Sequence, residues 1–295
     1  MADRGGVVLP IALAVILAGV VGGLSLHAAA PGGEPLRTAP DGRRLTLTFS
    51  DDFDSLQRVR SNDPGGPGTW RTTFGDGSNK SFGSRTLSNN RELQLYVDPE
   101  LADRQGRPMG LDPFAVHDGT LDLIARRAAP GVQPDVGGFA YTSGMISSQP
   151  GFAQLYGYFE ARVKLPAGKG LWPAVWMLPA DLSWPPEIDI MESIGDPRTA
   201  YMTIHSAAAK TFGVEVHPTS DGFHTYAVEW DPQQVVFYLD GVETQRAPTP
   251  ADMHKPMFIV ANLAVGGVWA GPPDQSTALP ASFSIDYIRG YRFAP

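Results

Sequence analysis

Past Leu26 the apolar positions recur every second residue. Leu45, Leu47 and Phe49 alternate with threonines, residues 119–125 follow an Asp-Gly pair, and residues 156–165 alternate ahead of a Pro-Ala-Gly turn. Residues 225–230 and 235–239 flank Asp231-Pro232, and Asp240-Gly241 marks the next turn. Period two belongs to a strand with one buried face, and Asp-Gly and Asp-Pro are turn formers. No long helical periodicity and no internal repeat follow Leu26. Many short strands with regular turn signals predict an all-β sandwich or barrel. Residues 63–83 are polar and Gly-rich, with 70–74 the one candidate strand among them. The segment is too long for a hairpin connection, which makes it a surface loop, either at a cleft rim or as mobile filler.

The run at 187–192 is Glu-Ile-Asp-Ile-Met-Glu, preceded by Trp184 and two prolines. Successive strand side chains alternate between faces, so Glu187 and Asp189 share one face and Ile188 and Ile190 the other. Glu192 breaks that parity. One extra residue, a β-bulge near Met191, returns it to the acidic face. All three carboxylates then line one wall of a cleft. Grouping like charges is costly unless a proton is shared or the pKa values split. Such splitting is what acid/base work on a glycosidic bond needs. An exposed acidic strand edge and a set of cation ligands are the other readings of the same run.

The run resembles the catalytic signature of glycoside hydrolase family 16 in its bulged form. Gly-Leu-Trp-Pro-Ala-Val-Trp-Met-Leu-Pro at 170–179 is similar to that family's preceding strand, and Phe-Ser-Ile-Asp-Tyr-Ile-Arg-Gly-Tyr at 283–291 to its closing strand. The resemblance covers roughly residues 45–295. It implies a jelly-roll β-sandwich of two curved antiparallel sheets with a concave substrate cleft. It also implies an endo-acting β-glycanase that works with retention and needs no catalytic cofactor. Glu187 is then the nucleophile, Glu192 the acid/base and Asp189 the partner that sets the nucleophile's protonation. Retention needs two carboxyl groups roughly 5–5.5 Å apart. The Cα atoms of Glu187 and Glu192 are expected about twice the 6.5–7 Å of an i, i+2 pair apart, and long side chains can converge over the shorter Asp189.

Asn90, in Asn-Arg-Glu-Leu-Gln at 90–94, resembles a sugar contact of the family's donor side, although Arg91 and Leu95 depart from the commonest forms. Trp172, Trp176, Trp184 and Trp269 lie near the expected cleft as stacking platforms, each with a core position as its alternative; Trp230 reads as core. His205 matches a position where the family often has histidine, there to bond substrate or to sit satisfied in the core. A structural calcium is implied at Asp52, the Gly119 carbonyl and Asp286, against ordinary turn or strand-end hydrogen bonds. Residues 85–99 and 261–271 look most like bacterial members acting on mixed-linkage β-glucan or succinoglycan-type exopolysaccharide. A laminarin-type β-1,3-glucanase, a transglycosylase, a non-catalytic carbohydrate-binding jelly roll and a membrane-anchored scaffold stay open.

Composition narrows the partners. Net charge is −8, which opposes bulk attraction to nucleic acid or an anionic membrane. A hydrophobic share of 42% with 18% charged residues suits a globular core rather than disorder. The chain has no Cys, so disulfide and thiolate chemistry are excluded. The six histidines are scattered, without zinc-motif spacing. Residues 7–26 form a mostly apolar run followed by Ala28, Ala29 and Ala30, which reads as a signal peptide over 1–30 or an uncleaved membrane anchor. Residues 31–44 read as a linker and 45–295 as the catalytic domain. The expected partner is a polysaccharide, the expected location extracellular or periplasmic, and the expected state a monomer.

Overall fold

The computed structural model describes residues 33–75, 82–149 and 151–295. The expected signal peptide or anchor over 1–30 lies outside the described residues, as do the first two positions of the expected linker.

Two sheets make the fold. The larger contains β1 (Leu45–Asp51), β2 (Gln94–Tyr96), β3 (Phe114–His117), β4 (Thr120–Arg127), β5 (Tyr141–Ser143), β7 (Gly157–Lys164), β12 (Phe223–Trp230), β13 (Gln234–Leu239), β14 (Val242–Pro248) and β16 (Ala281–Phe293). The smaller contains β6 (Met145–Ser147), β8 (Leu171–Pro179), β9 (Glu187–Glu192), β10 (Ala200–His205), β11 (Phe212–Val216) and β15 (Met257–Val265). It runs in the order β11-β10-β9-β8-β15-β6, and its pairs are antiparallel. In the larger sheet β2 and β5 pair in parallel, while the other registered pairs are antiparallel. The one α-helix among the described residues is the four-residue turn Gly267–Ala270. This is the all-β architecture that period-two patterning predicts, in the jelly-roll form that the family resemblance implies.

Alternation explains how the sheets pack. On β15, Met257, Ile259, Ala261, Leu263 and Val265 enter the core. On β8, Leu171, Val175 and Met177 do the same. They meet Phe159, Ala161, Val163, Val228, Phe237, Phe283 and Ile285 from the larger sheet. Trp230 is fully buried in this core, as its regular strand predicts. Removing such side chains from water supplies about 25 cal/mol per Å² of apolar surface. The alternate residues of β8 and β15 leave the smaller sheet on its other face, where the cleft lies.

The linker expectation needs correction. Thr38 bridges to Arg44, Ala39 is buried, and the Leu36 amide donates to Tyr291 Oη at 3.2 Å. Ala39 packs with Tyr158, Tyr238 and Tyr291 on the outside of the larger sheet. Arg43 pairs with Glu229 and, at 3.0 Å, with Asp231. Glu229 is a fully buried carboxylate, so a counter-charge holds this segment down where composition alone suggested a free tether. Residues 70–74 form no strand; isolated bridges tie Trp70 to Arg58 and Arg71 to Ser147. Trp70 is anchored by its indole N–H, which donates to Asp51 Oδ2 at 2.6 Å.

Candidate active site

β9 carries the bulge. Against β8, Trp176 pairs with Asp189 and Val175 with Met191, so Ile190 is the residue without a partner. Against β10 the register slips at the same place, between Thr203 opposite Asp189 and Tyr201 opposite Glu192. Ile188, Ile190 and Met191 all enter the core. Glu187, Asp189 and Glu192 therefore face one cleft of about 800 Å³. The hydrophobic demand of three apolar residues on a six-residue strand is what places the extra residue here.

The neighbouring strands complete the wall by parity. β8 contributes Trp172, Ala174, Trp176 and Leu178; β10 contributes Thr203 and His205; β15 contributes Phe258, Asn262 and Ala264. Trp172 Nε1 donates to Glu192 Oε1 at 2.9 Å, and Trp184 Nε1 donates to Glu187 Oε2 at 2.9 Å. Each outer glutamate is thus oriented by a tryptophan. His205 Nε2 lies 3.1 Å from Asp189 Oδ2 and 3.9 Å from Glu187 Oε1.

Burial dominates the electrostatics. It pushes the Glu192 carboxyl up to about 7, with the Glu187 charge adding and the Trp172 N–H opposing. Glu187 is raised well above its ordinary value by burial and then by Asp189. Asp189, with its side chain 2% exposed, is raised by burial and by the Glu192 charge. The three groups cannot all ionise near neutral pH: the strongest upward shifts fall on the adjacent Glu187 and Asp189, which share a proton, and Glu192 keeps its own to about 7.

The expected platforms separate into two at the mouth, one on the floor and Trp172, whose N–H is committed to Glu192. Trp184 is 66% exposed and Trp269 is 40% exposed at the cleft mouth, open to a ligand. Trp269 packs edge-on against Trp172, with centroids 5.4 Å apart, and against Tyr201 at 4.9 Å. Gly267 keeps this cluster tight: at φ +96° a Cβ there would meet Trp172 Cζ3 at 2.9 Å. Trp176 is corrected to a floor residue. It is buried, and its N–H donates to Asn262 Oδ1 at 2.7 Å, so it offers no open ring face. Asn90 lines the cleft, and its side-chain amide donates to Glu92 Oε1 at 3.3 Å.

Glu92 and Asn262 are cleft residues that the sequence reading passed over. Glu92 is buried and raised by that burial, and it accepts from Gln94 Nε2 at 2.6 Å and the Leu87 amide at 3.2 Å. Asn262 also donates to Tyr96 Oη at 3.0 Å. A signal for Asn262 was available: it is the lone polar residue of the otherwise apolar strand Met257–Val265. Of the 63–83 loop, Phe74, Gly75 and Gly83 reach the cleft, which makes this part rim rather than filler.

The implied calcium position is only half assembled. The Asp52 carbonyl faces Gly119, 3.7 Å from where a Cβ would stand. Asp286 lies on β16 beside the start of β4, since its neighbour Ile285 pairs with Leu121. Both carboxylates are engaged by cations, Asp52 Oδ1 by Arg289 at 2.7 Å and Asp286 Oδ2 by Arg162 at 2.5 Å. Two arginines already supply the charge a cation would bring, so the set does not fit a site built on these carboxylates.

A two-sheet jelly roll with buried, tryptophan-oriented carboxylates along one bulged strand defines a carbohydrate-active class of protein. Residues 83–289 match the family described as glycosyl hydrolases family 16, and the chain belongs to that family. It is 41% identical over 261 residues to the endo-1,3-1,4-beta-glycanase ExsH of Rhizobium meliloti, covering 86% of this chain and 53% of that one. It is 40% identical over 252 residues to the endo-1,3-1,4-beta-glycanase EglC of the same organism, covering 84% and 52%. The chain thus spans about half the length of these two relatives. Among solved structures it resembles the endo-beta-1,3-glucanase of Pyrococcus furiosus, with a TM-score of 0.72 and 30% identity over 88% of this chain and 99% of that one.

Proposed function

We propose that the protein is an endo-β-glycanase that hydrolyses internal β-glycosidic bonds of a polysaccharide with retention. The observation that carries this reading is the placement of Glu187, Asp189 and Glu192 on one cleft wall, with Glu192 still protonated up to about pH 7. Glu187 attacks the anomeric carbon while Glu192 gives its proton to the leaving oxygen. Water, deprotonated by Glu192, then cleaves the glycosyl–Glu187 ester. Asp189, beside the nucleophile, shares the proton that Glu187 must lose. Trp184 N–H and Trp172 N–H hold the two reacting carboxyl groups in place. Trp184 and Trp269 offer apolar ring faces for sugar C–H surfaces, and Asn90 and His205 offer hydroxyl contacts.

Mixed-linkage β-1,3-1,4-glucan or a succinoglycan-type exopolysaccharide is the proposed substrate. The names of the two Rhizobium relatives support it, and laminarin is the runner-up because of the Pyrococcus neighbour. The chemistry needs no cofactor. A structural calcium at Asp52, Gly119 and Asp286 would have to rest on main-chain oxygens or displace an arginine. We place the domain outside the cytoplasmic membrane, on the strength of the apolar run 7–26, and treat it as a monomer. The intact mass of exported protein checks this: loss of the first thirty or so residues marks a signal peptide.

The test of function is a polymer panel with product sizing by mass spectrometry. Barley β-glucan, lichenan, laminarin and a succinoglycan-type polymer are incubated with the protein and with Glu187→Gln. Oligosaccharides from one polymer, absent with the variant, establish the activity and name the linkage. A folded protein that binds these polymers and cleaves none is a carbohydrate-binding module.

A further inference from the structure

Glu187 and Asp189 on β9 meet His205 on the facing strand β10, and one ligand atom from each lies within 4.8 Å of the other two. His205 Nε2 stands 3.1 Å from Asp189 Oδ2 and 3.9 Å from Glu187 Oε1. Two donors bound to one tetrahedral Zn²⁺ at the usual bond lengths are about 3.3–3.5 Å apart. The two separations from His205 bracket that value and the third is within 4.8 Å, so side-chain shifts of about an ångström close the site.

A second observation points the same way. Asp189 Oδ2 accepts no hydrogen bond, although the side chain is only 2% exposed and faces the cleft. The His205 ring is close to it but not aimed as a donor. A buried carboxylate oxygen without a donor is costly. Glu187 has one oxygen bound by Trp184; its other contact is the proton-bridged one with Asp189, which a cation would replace, and Oε1 is the atom nearest His205. Among the described residues no Lys or Arg pairs with either carboxylate.

We propose that Glu187, Asp189 and His205 form a three-ligand site for a borderline divalent cation of the Zn²⁺ type, with a fourth position left to water. One nitrogen and two carboxylate oxygens suit such a cation. Ca²⁺ takes six to eight oxygens and Mg²⁺ a near-octahedral oxygen shell, and neither matches this donor set. Glu192, turned to Trp172, stays outside the set. The consequence rests on the reading of Glu187 as nucleophile: a bound metal occupies the attacking oxygen, so metal and glycan exclude each other and the enzyme is reversibly silenced.

Binding is measured apart from catalysis. Chelator-stripped protein is titrated with Zn²⁺ by calorimetry and with Co²⁺ by visible absorption, where low-symmetry four-coordinate Co²⁺ gives intense bands. One ion per chain is expected, with affinity falling about tenfold or more in His205→Ala and in Glu187→Gln. Activity against the polymer cleaved in the panel is then read at about ten times the measured Kd, where occupancy predicts about a tenfold loss that chelator reverses. Zn²⁺ that binds both variants as tightly as the parent, or does not bind the parent, overturns the site. Saturating Zn²⁺ that leaves the cleavage rate unchanged overturns the exclusion. A protein that binds Zn²⁺ with this ligand dependence but cleaves no polymer keeps the site and refutes the glycanase reading instead.

Discussion

The two sheets treat buried negative charge in opposite ways. On the larger sheet acidic groups are matched: Glu229 by Arg43, Asp286 by Arg162, and the half-exposed Asp52 by Arg289. Glu160, between them, accepts from Tyr291 Oη at 2.8 Å and feels Arg289. On the smaller sheet Glu187, Asp189 and Glu192 have two indole N–H groups and one imidazole among them, and among the described residues no arginine or lysine. Burying charge without pairing it destabilises a fold. A chain that supplies guanidinium groups to one sheet and withholds them from the other is keeping protonation adjustable where it is used. The paired acids are structural; the three on β9 are positioned for proton transfer.

The sharpest way to break this comparison is to neutralise the unpaired side. Glu192→Gln and Glu187→Gln are expected to lower kcat/KM by about 10²–10⁴ or more while leaving the circular-dichroism spectrum unchanged. A Glu187→Gln protein with full activity would overturn the assignment of the nucleophile. Removing a charge here also relieves the fold. Glu192 holds its proton to about 7 in the folded chain, above its ordinary 4.5, so the folded state binds more protons than the unfolded one between those values. Its contribution is therefore complete below about 4.5 and is lost as pH rises through about 7. Glu192→Gln abolishes that loss, and melting curves at pH 8 should show the variant more stable than the parent.

The matched side predicts the reverse. Arg162→Met leaves Asp286, 1% exposed, without its cation and should cost roughly 3 kcal/mol, with activity per folded molecule retained. Arg43→Met should cost less, about 1–2 kcal/mol, because Arg43 is 34% exposed and solvent screens part of the pairing. Urea denaturation measures both. No measurable loss in Arg43→Met would mean that the strap around Arg43 is held by apolar packing of Ala39 rather than by charge.

A smaller effect tests how finely the cleft is tuned. The Trp172 N–H favours ionised Glu192, so Trp172→Phe should move the alkaline limb of the pH–rate profile to higher pH. An unmoved limb would assign that limb to another group. The same variant loosens Trp269, whose edge rests on Trp172, and should raise KM as well.

Much of this contrast was written in the order of residues, because period two and parity are local properties. A bulge near Met191 followed from one mismatch between apolar and acidic positions, and the register puts it one residue earlier, at Ile190. Other features depend on contacts distant in sequence. Nothing near Arg43 announces that Glu229 lies beneath it, 186 positions on, so an ordered strap read as a linker. Trp176 was visible as a cleft residue but not as its floor, since Asn262 holds its N–H from another strand. Glu92 lies in the Asn-Arg-Glu-Leu-Gln run, and its burial with bonds from Asn90 and Gln94 comes only from the fold.

The weakest expected effect concerns calcium. If the larger sheet satisfies its acids with arginine, added Ca²⁺ has only the Asp52 and Gly119 carbonyls to gain. With so few ligands the melting temperature should move by about a degree or less with millimolar Ca²⁺ or with chelator, against about 2.7 kcal/mol for an ion present at a hundred times its Kd. A rise of several degrees, lost in Asp286→Asn, would show that the ion displaces Arg162 from Asp286. The charge of the larger sheet would then be matched by a bound metal at that position, and its difference from the cleft sheet would lie in which cation is used rather than in whether one is present.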